Sequence, residues 1–185
     1  MNPNRLNKEI RHYLWSKRVT NPINITLTQR QQFNGFEIDH CRSEQNFRHF
    51  KNVLNTKVFG NSYRRFGQQL QMLVIREVSA DKRHHLHCIF EQPNRYQFEE
   101  FERLVHRIWR STNFGYDQIH IEKPSSQQRE DGWLNYIMKD RTKVSLDTSI
   151  DWTNSTVLNL WRLQSPLITQ SSKPSKGESQ ILFND

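Results

Sequence analysis

Cysteine is scarce in this chain, and so are long apolar runs. Cys41 and Cys88 are the only two cysteines, too few for a disulfide framework, and no Cys-x-x-Cys spacing offers a thiolate metal knuckle. Cys88 falls on the apolar side of a strand-like segment, which points to reduced, cytosol-like surroundings. No stretch of eighteen apolar residues occurs, and the opening Met1-Asn2-Pro3-Asn4-Arg5 has no apolar signal core. Neither a membrane partner nor a secretory route is expected. The phosphate-cradling Gly-x-x-x-x-Gly-Lys pattern is missing, which argues against an ATPase, and no internal repeat is found. Acidic residues are outnumbered, 19 against 27 Lys and Arg, for a formal net charge of +8. Such a balance suits a protein that meets a polyanion.

What is present is patterned. At 185 residues the chain is long enough for one domain with a real core. Ile23 to Thr28 alternates and is rich in β-branched residues, so it reads as a strand. Ser43 to Val58 carries Phe47, Phe50, Val53 and Leu54 at helical spacing and stops at Gly60-Asn61. Leu70 to Val78 is a mostly apolar strand, expected to be central, and His84 to Phe90 is another. Asn94 with Gln97 reads as a capping box for a helix whose Phe98, Phe101, Leu104, Val105, Ile108 and Trp109 form one stripe. A fourth strand, Ile119 to Glu122, closes at Pro124. A polar loop, 125–130, then leads to a helix from Asp131 to Lys139. The order β-α-β-β-α-β-α favours an α+β sandwich, an antiparallel sheet with helices on one face. Residues 165–185, with Ser171-Ser172-Lys173-Pro174-Ser175-Lys176-Gly177, read as a disordered tail.

Two segments carry chemistry. In His84-His85-Leu86-His87-Cys88, a period of two puts His85 and His87 on one face and Leu86 with Cys88 on the other. If the preceding strand folds back across residues 79–82, residue 77 opposes 85 and residue 75 opposes 87. Glu77 is then the carboxylate on the histidine face. A carboxylate with two imidazoles suits Mn²⁺, Zn²⁺ or Fe²⁺, and accepts Mg²⁺ if waters complete the shell. The same ligand types serve iron oxygenases and cupins, but those need many short strands rather than two long amphipathic helices. The second segment is Gly132-Trp133-Leu134-Asn135-Tyr136-Ile137-Met138-Lys139-Asp140. Leu134, Ile137 and Met138 supply its apolar side, leaving Tyr136, Lys139 and Asp140 on the other. A phenol needs nearby positive charge or a base to act as a nucleophile. Lys139 is placed to stabilise phosphate charge, and Asp140 offers a further carboxylate.

Taken together, these residues resemble the HUH endonuclease superfamily, and within it the rolling-circle replication initiators. Ile25-Thr26-Leu27-Thr28 looks like the family's first motif, His85-Leu86-His87 matches its His-hydrophobic-His motif, and Tyr136-Ile137-Met138-Lys139-Asp140 matches its Tyr-x-x-Lys motif. The resemblance covers residues 20–145, flanked by extensions at 1–20 and 146–164. It implies a five-stranded antiparallel sheet flanked by helices. It also implies Glu77, His85 and His87 as ligands to Mn²⁺ or Mg²⁺, Tyr136 as nucleophile and Lys139 as the phosphate-positioning cation. Aspartate four residues after Tyr136 makes this a single-tyrosine type. The implied partner is single-stranded DNA or an origin hairpin, met by Thr26, Thr28, Arg76, Lys82, Arg83 and His84. Helicase and polymerase would come from the host or the element, in the cytoplasm, or the nucleus of a eukaryotic host. Conjugative relaxases carry their tyrosine before the histidines, where this chain has Tyr13 without a supporting motif. Single-tyrosine transposases keep the order seen here but commonly follow the tyrosine with glutamine, not lysine. A non-catalytic DNA-binding module on the same scaffold is the alternative of a different class.

Overall fold

The computed structural model describes residues 3–79, 83–139 and 145–158. In chain order these form α1 (Pro3–Ser16), β1 (Pro22–Gln29), β2 (Gln32–Phe33), β3 (Phe36–Glu37), α2 (His40–Phe59), α3 (Asn61–Phe66), β4 (Met72–Val78) and β5 (His84–Glu91). Then come α4 (Phe98–Arg110), β6 (Gly115–Glu122), α5 (Gln127–Ile137), α6 (Leu146–Ser149) and a 3₁₀ turn, Thr156–Leu158. The architecture is α+β, a four-stranded antiparallel sheet in the order β4-β5-β1-β6 flanked by helices. The strand count is one lower than expected. The short β2 and β3 pair only with each other, through a turn at Asn34-Gly35 whose positive φ angles of 48° and 81° suit that dipeptide.

The outer edge of β4 shows what replaces a fifth strand. Residues 145–158 run along it, with one bridge between Ile75 and Ile150. The Val74 and Met72 amides donate to the hydroxyl oxygens of Ser155 and Thr156, at 3.0 and 2.8 Å, and the Asp151 amide donates to the Val74 carbonyl. Side chains thus satisfy an edge that would otherwise be open to another chain. β4 is terminal in the sheet rather than central, yet its apolar run is explained, because both of its faces are buried.

Helices cover both faces, where the pattern suggested one. On the first, Ile23, Ile25 and Leu27 of β1 and Leu86, Cys88 and Phe90 of β5 meet the stripes of α2 and α4, including Phe47, Phe50, Phe101 and Trp109. On the second, Leu73, Ile75 and Ile89 meet Leu134, Ile137 and Met138 around α5, together with Ile10 and Leu14 of α1. That second layer covers the β4–β5 half, while on the same face Gln118, His120 and Glu122 of β6 stay exposed. Burying these apolar side chains stabilises by about 1.5–3 kcal/mol each before entropy is subtracted.

Several element boundaries differ from those the sequence suggests: α2 begins at His40 and β6 at Gly115, each a few residues early. The capping box is Gln97 with Glu100, three residues later than expected, because Asn94 lies in a turn after Pro93. α5 begins at Gln127, its amino end capped by Ser126, whose side chain accepts from the Arg129 amide. It ends at Ile137, with Met138 as its C-cap. The tail at 165–185, together with Lys82 and Asp140, lies outside the described residues.

Candidate active site

The β-hairpin of β4 and β5 sets the register from which the site grows. Glu77 opposes His85 and Ile75 opposes His87, as the alternation predicts. On the other side of β5, Thr26 opposes His87 and Thr28 opposes His85. Each histidine meets its threonine through Nδ1, His87 to Thr26 Oγ1 at 3.1 Å and His85 to Thr28 Oγ1 at 3.2 Å. Thr26 and Thr28, expected as DNA contacts, line the same cleft and hold the imidazoles. Such a bond fixes ring orientation and leaves Nε2 to face the cleft.

Glu77 is only 8% exposed, and its two oxygens have different neighbours. Oε2 stands 3.3 Å from His87 Nε2, and Oε1 stands 3.6 Å from Lys139 Nζ. Two donors on one tetrahedral ion, each about 2.0–2.2 Å away, stand roughly 3.4 Å apart. The Glu77–His87 separation fits that span, and the donor chemistry suits a divalent cation. Among the described residues no three His, Cys, Asp or Glu side chains are gathered closely enough to hold an ion as they stand. His85, the third expected ligand, faces Glu77 directly across the β4–β5 pair, so all three lie on the same face of the sheet.

α5 brings the phenol. Leu134, Ile137 and Met138 are buried, while Tyr136 remains 46% exposed above the sheet. Its ring meets His87 edge-on, with centroids 5.6 Å apart, and stacks on Trp133 at 5.5 Å. Lys139 lies past the helix end, contrary to the expectation of a helix reaching it. Its amide still bonds the Tyr136 carbonyl at 3.2 Å, and that turn swings Nζ to 3.9 Å from the centre of the phenol ring. A cleft of about 460 Å³ is lined by Glu77, His85, His87, Thr26, Thr28, Trp133 and Tyr136. Side chains of β1, β4, β5 and α5 meet there, and Lys139 reaches Glu77 from just past α5.

The remaining expected DNA contacts are scattered. Arg76 points to the opposite face of β4, where its Nη2 donates to the Ile150 and Thr148 carbonyls and Nη1 lies 3.7 Å from Asp151. His84 shares that opposite face, and burial, with His40 and His85 nearby, holds its imidazole below the usual range. A neutral, half-buried ring is a weak phosphate contact. Arg83 is exposed at the start of β5.

Several participants escaped the sequence reading. Trp133 packs against both His87 and Tyr136, yet a tryptophan on a helix ordinarily signals core. Gln118 of β6 lines the cleft, and so does His120, opposite Thr26, a strand histidine that the sequence already offered as a further candidate ligand. α1 and the residues just after it brace α5, since Arg11 Nη2 donates to the Met138 carbonyl at 2.8 Å and Arg18, past the end of α1, pairs with Asp131 at 3.0 Å. Tyr13 packs on the second core and does not line the cleft. No helix among the described residues is long and apolar enough to cross a membrane. No family model, curated protein or solved structure matches this chain.

Proposed function

We propose that the chain is a single-tyrosine DNA nickase and strand transferase of the HUH endonuclease type, acting on single-stranded DNA to start rolling-circle replication. The observation that carries this reading is the meeting of Tyr136, Lys139, Glu77 and His87 in one cleft, although they come from three separate stretches of chain. A basic chain with a net charge of +8 suits the substrate.

Glu77, His85 and His87 would hold Mn²⁺ or Mg²⁺. A divalent cation there supplies Lewis-acid polarisation of a scissile phosphate. Everything else falls to the protein's own residues. Thr26 and Thr28 keep the two imidazoles turned toward the cleft. The ammonium of Lys139, close to both the phenol and Glu77, favours negative charge on the tyrosine oxygen and on the phosphate. Tyr136 Oη then attacks phosphorus, forming a phosphotyrosine bond as the phosphorus–O3′ bond breaks. The phenolic proton passes to solvent and the departing O3′ takes one proton back from solvent to leave as a 3′-hydroxyl, so charge and atoms balance. The phosphodiester energy is kept in the new bond. A returning 3′-hydroxyl reverses the step, and a polymerase can extend the free one.

Incubating the protein with single-stranded oligonucleotides and Mn²⁺ tests this directly. A protein–DNA adduct that survives denaturing electrophoresis, together with a released 3′-hydroxyl fragment, is the expected result. Binding without adduct under every metal and sequence tried would favour the non-catalytic module instead.

A further inference from the structure

Of the cations expected at the catalytic cleft, Lys139 is held between Glu77 and the phenol ring, and Arg76 turns to the opposite face of β4. A denser basic set lies at the far end of α2. That helix begins at His40, close to His84, and its rise carries Lys57 about 25 Å away. Two elements meet this end. Arg95 Nη2 donates to the Lys57 carbonyl at 3.2 Å, and α3 folds back on α2 through the Tyr63 hydroxyl, which donates to Asn52 Oδ1 at 2.7 Å. Arg95 borders a hollow of about 580 Å³ with Arg103 and Arg107 of α4. α3 carries Arg64 and Arg65 and ends on Phe66, which is 80% exposed. Gly67, at φ 64°, caps α3 with its amide on the Tyr63 carbonyl, so the phenylalanine ring is held out on a fixed turn.

Folding alone leaves this set unexplained. Arg42, Arg48 and Arg110 of the same helical layer pair with carboxylates, but among the described residues Arg64, Arg65, Arg103 and Arg107 do not. Arg103 and Arg107 stand one turn apart on α4, where like charges cost stability. Arg95 precedes the amino end of α4, the end that disfavours a cation. Glu100, the carboxylate bordering the hollow, accepts from the Gln97 amide and so caps α4. A ring as exposed as Phe66 contributes little burial. We infer that this end of the molecule is a second nucleic-acid surface, where Arg64, Arg65, Arg103 and Arg107 take the phosphates of a single strand and Phe66 stacks one of its bases. A polyanion relieves the repulsion between the arginines, and their forked N–H donors match phosphate oxygens. An unpaired base covers the exposed ring. A duplex would satisfy the arginines but not Phe66, since its bases are already stacked. The surface is separate from the catalytic cleft, and the inference goes beyond the nickase reading without needing it. A strand that engages both ends spans roughly seven nucleotides or more, at about 3.4 Å of rise each.

Fluorescence anisotropy of the full chain, without divalent metal and with a labelled single strand longer than that span, tests it. Arg64→Ala combined with Arg65→Ala should flatten the slope of log K against log salt by about 1.4, two phosphates at about 0.7 each. Phe66→Ala should weaken binding about 5–150-fold, the worth of one stacked base, and leave the slope unchanged. Phe66→Trp should keep wild-type affinity, whereas Phe66→Leu, apolar but not flat, should bind as poorly as Phe66→Ala. All three positions are exposed, so melting temperatures should match wild type. Adduct formation at saturating DNA with Mn²⁺ should also be unchanged, because none of these residues lines the cleft. Wild-type affinity and slope in these variants would overturn the inference and leave the nickase reading standing. An equal loss from Phe66→Ala on duplex DNA, or full affinity in Phe66→Leu, would overturn it too, since either removes base stacking. If wild type forms no adduct while the variants still lose binding, the nickase reading fails and the second surface stands.

Discussion

At the scale of single residues, the site depends on which side chains keep company. Lys139 touches both the phenol ring and Glu77, so removing its charge affects two partners at once. Lys139→Ala should slow adduct formation by about 10²–10³-fold while leaving a measurable rate, because it tunes charge without forming the bond. Single-turnover kinetics check this, and an unchanged rate would remove Lys139 from the mechanism. Thr26→Val is nearly isosteric and deletes only the hydroxyl that meets His87 Nδ1. It should weaken Mn²⁺ binding by about 10–100-fold, as losses of a ligand's outer hydrogen bond do. Calorimetric titration would measure it, and wild-type affinity would mean that the threonine does not orient the ring.

At the scale of elements, strands were more legible than helix ends. Alternation fixed the faces of β4 and β5, since a slip of one residue would bury Glu77 with the first core and expose Leu86, and the short connection after residue 79 fixed which residues oppose. That is why the pairing of Glu77 with His85 could be read from sequence, as could the apolar stripe of α4 and the buried side of α5. The role of Thr26 and Thr28 could not, since it depends on β1 lying beside β5, a pairing of strands far apart in sequence. The same holds for α1, whose few apolar residues gain meaning only against α5, and for the hydroxyls of Ser155 and Thr156 on the β4 edge. Turn chemistry shows its force at Gly115, where β6 begins. A Cβ there would lie 1.8 Å from the Trp109 carbonyl oxygen at the end of α4. Gly115→Ala should therefore destabilise by at least about 3 kcal/mol, lowering the denaturant midpoint. A midpoint equal to wild type would show that the helix–strand junction relaxes freely.

At the scale of the whole molecule, charge and burial set how the protein responds to its medium. Affinity for single strands should fall with salt, each neutralised phosphate contributing about −0.7 to the slope of log K against log salt. Burial pushes the Asp151 carboxyl up, outweighing its bonds from Asn154 and the nearby Arg76. The folded state thus holds this proton more tightly than the unfolded chain. Its contribution is present at low pH and lost as pH rises from about 3.9 through the raised value. Asp151→Asn should flatten stability against pH in that window, and an unchanged slope in pH-dependent melting would contradict the assignment. The central claim, however, is that Tyr136 becomes covalently attached to DNA. Mass spectrometry of the proteolysed adduct tests it most directly. The expected result is a 5′-phosphonucleotide on the peptide containing Tyr136, with no adduct from Tyr136→Phe, which loses one oxygen and should keep fold and DNA binding. A modified peptide containing Tyr13 instead, or an adduct that persists in Tyr136→Phe, would contradict it.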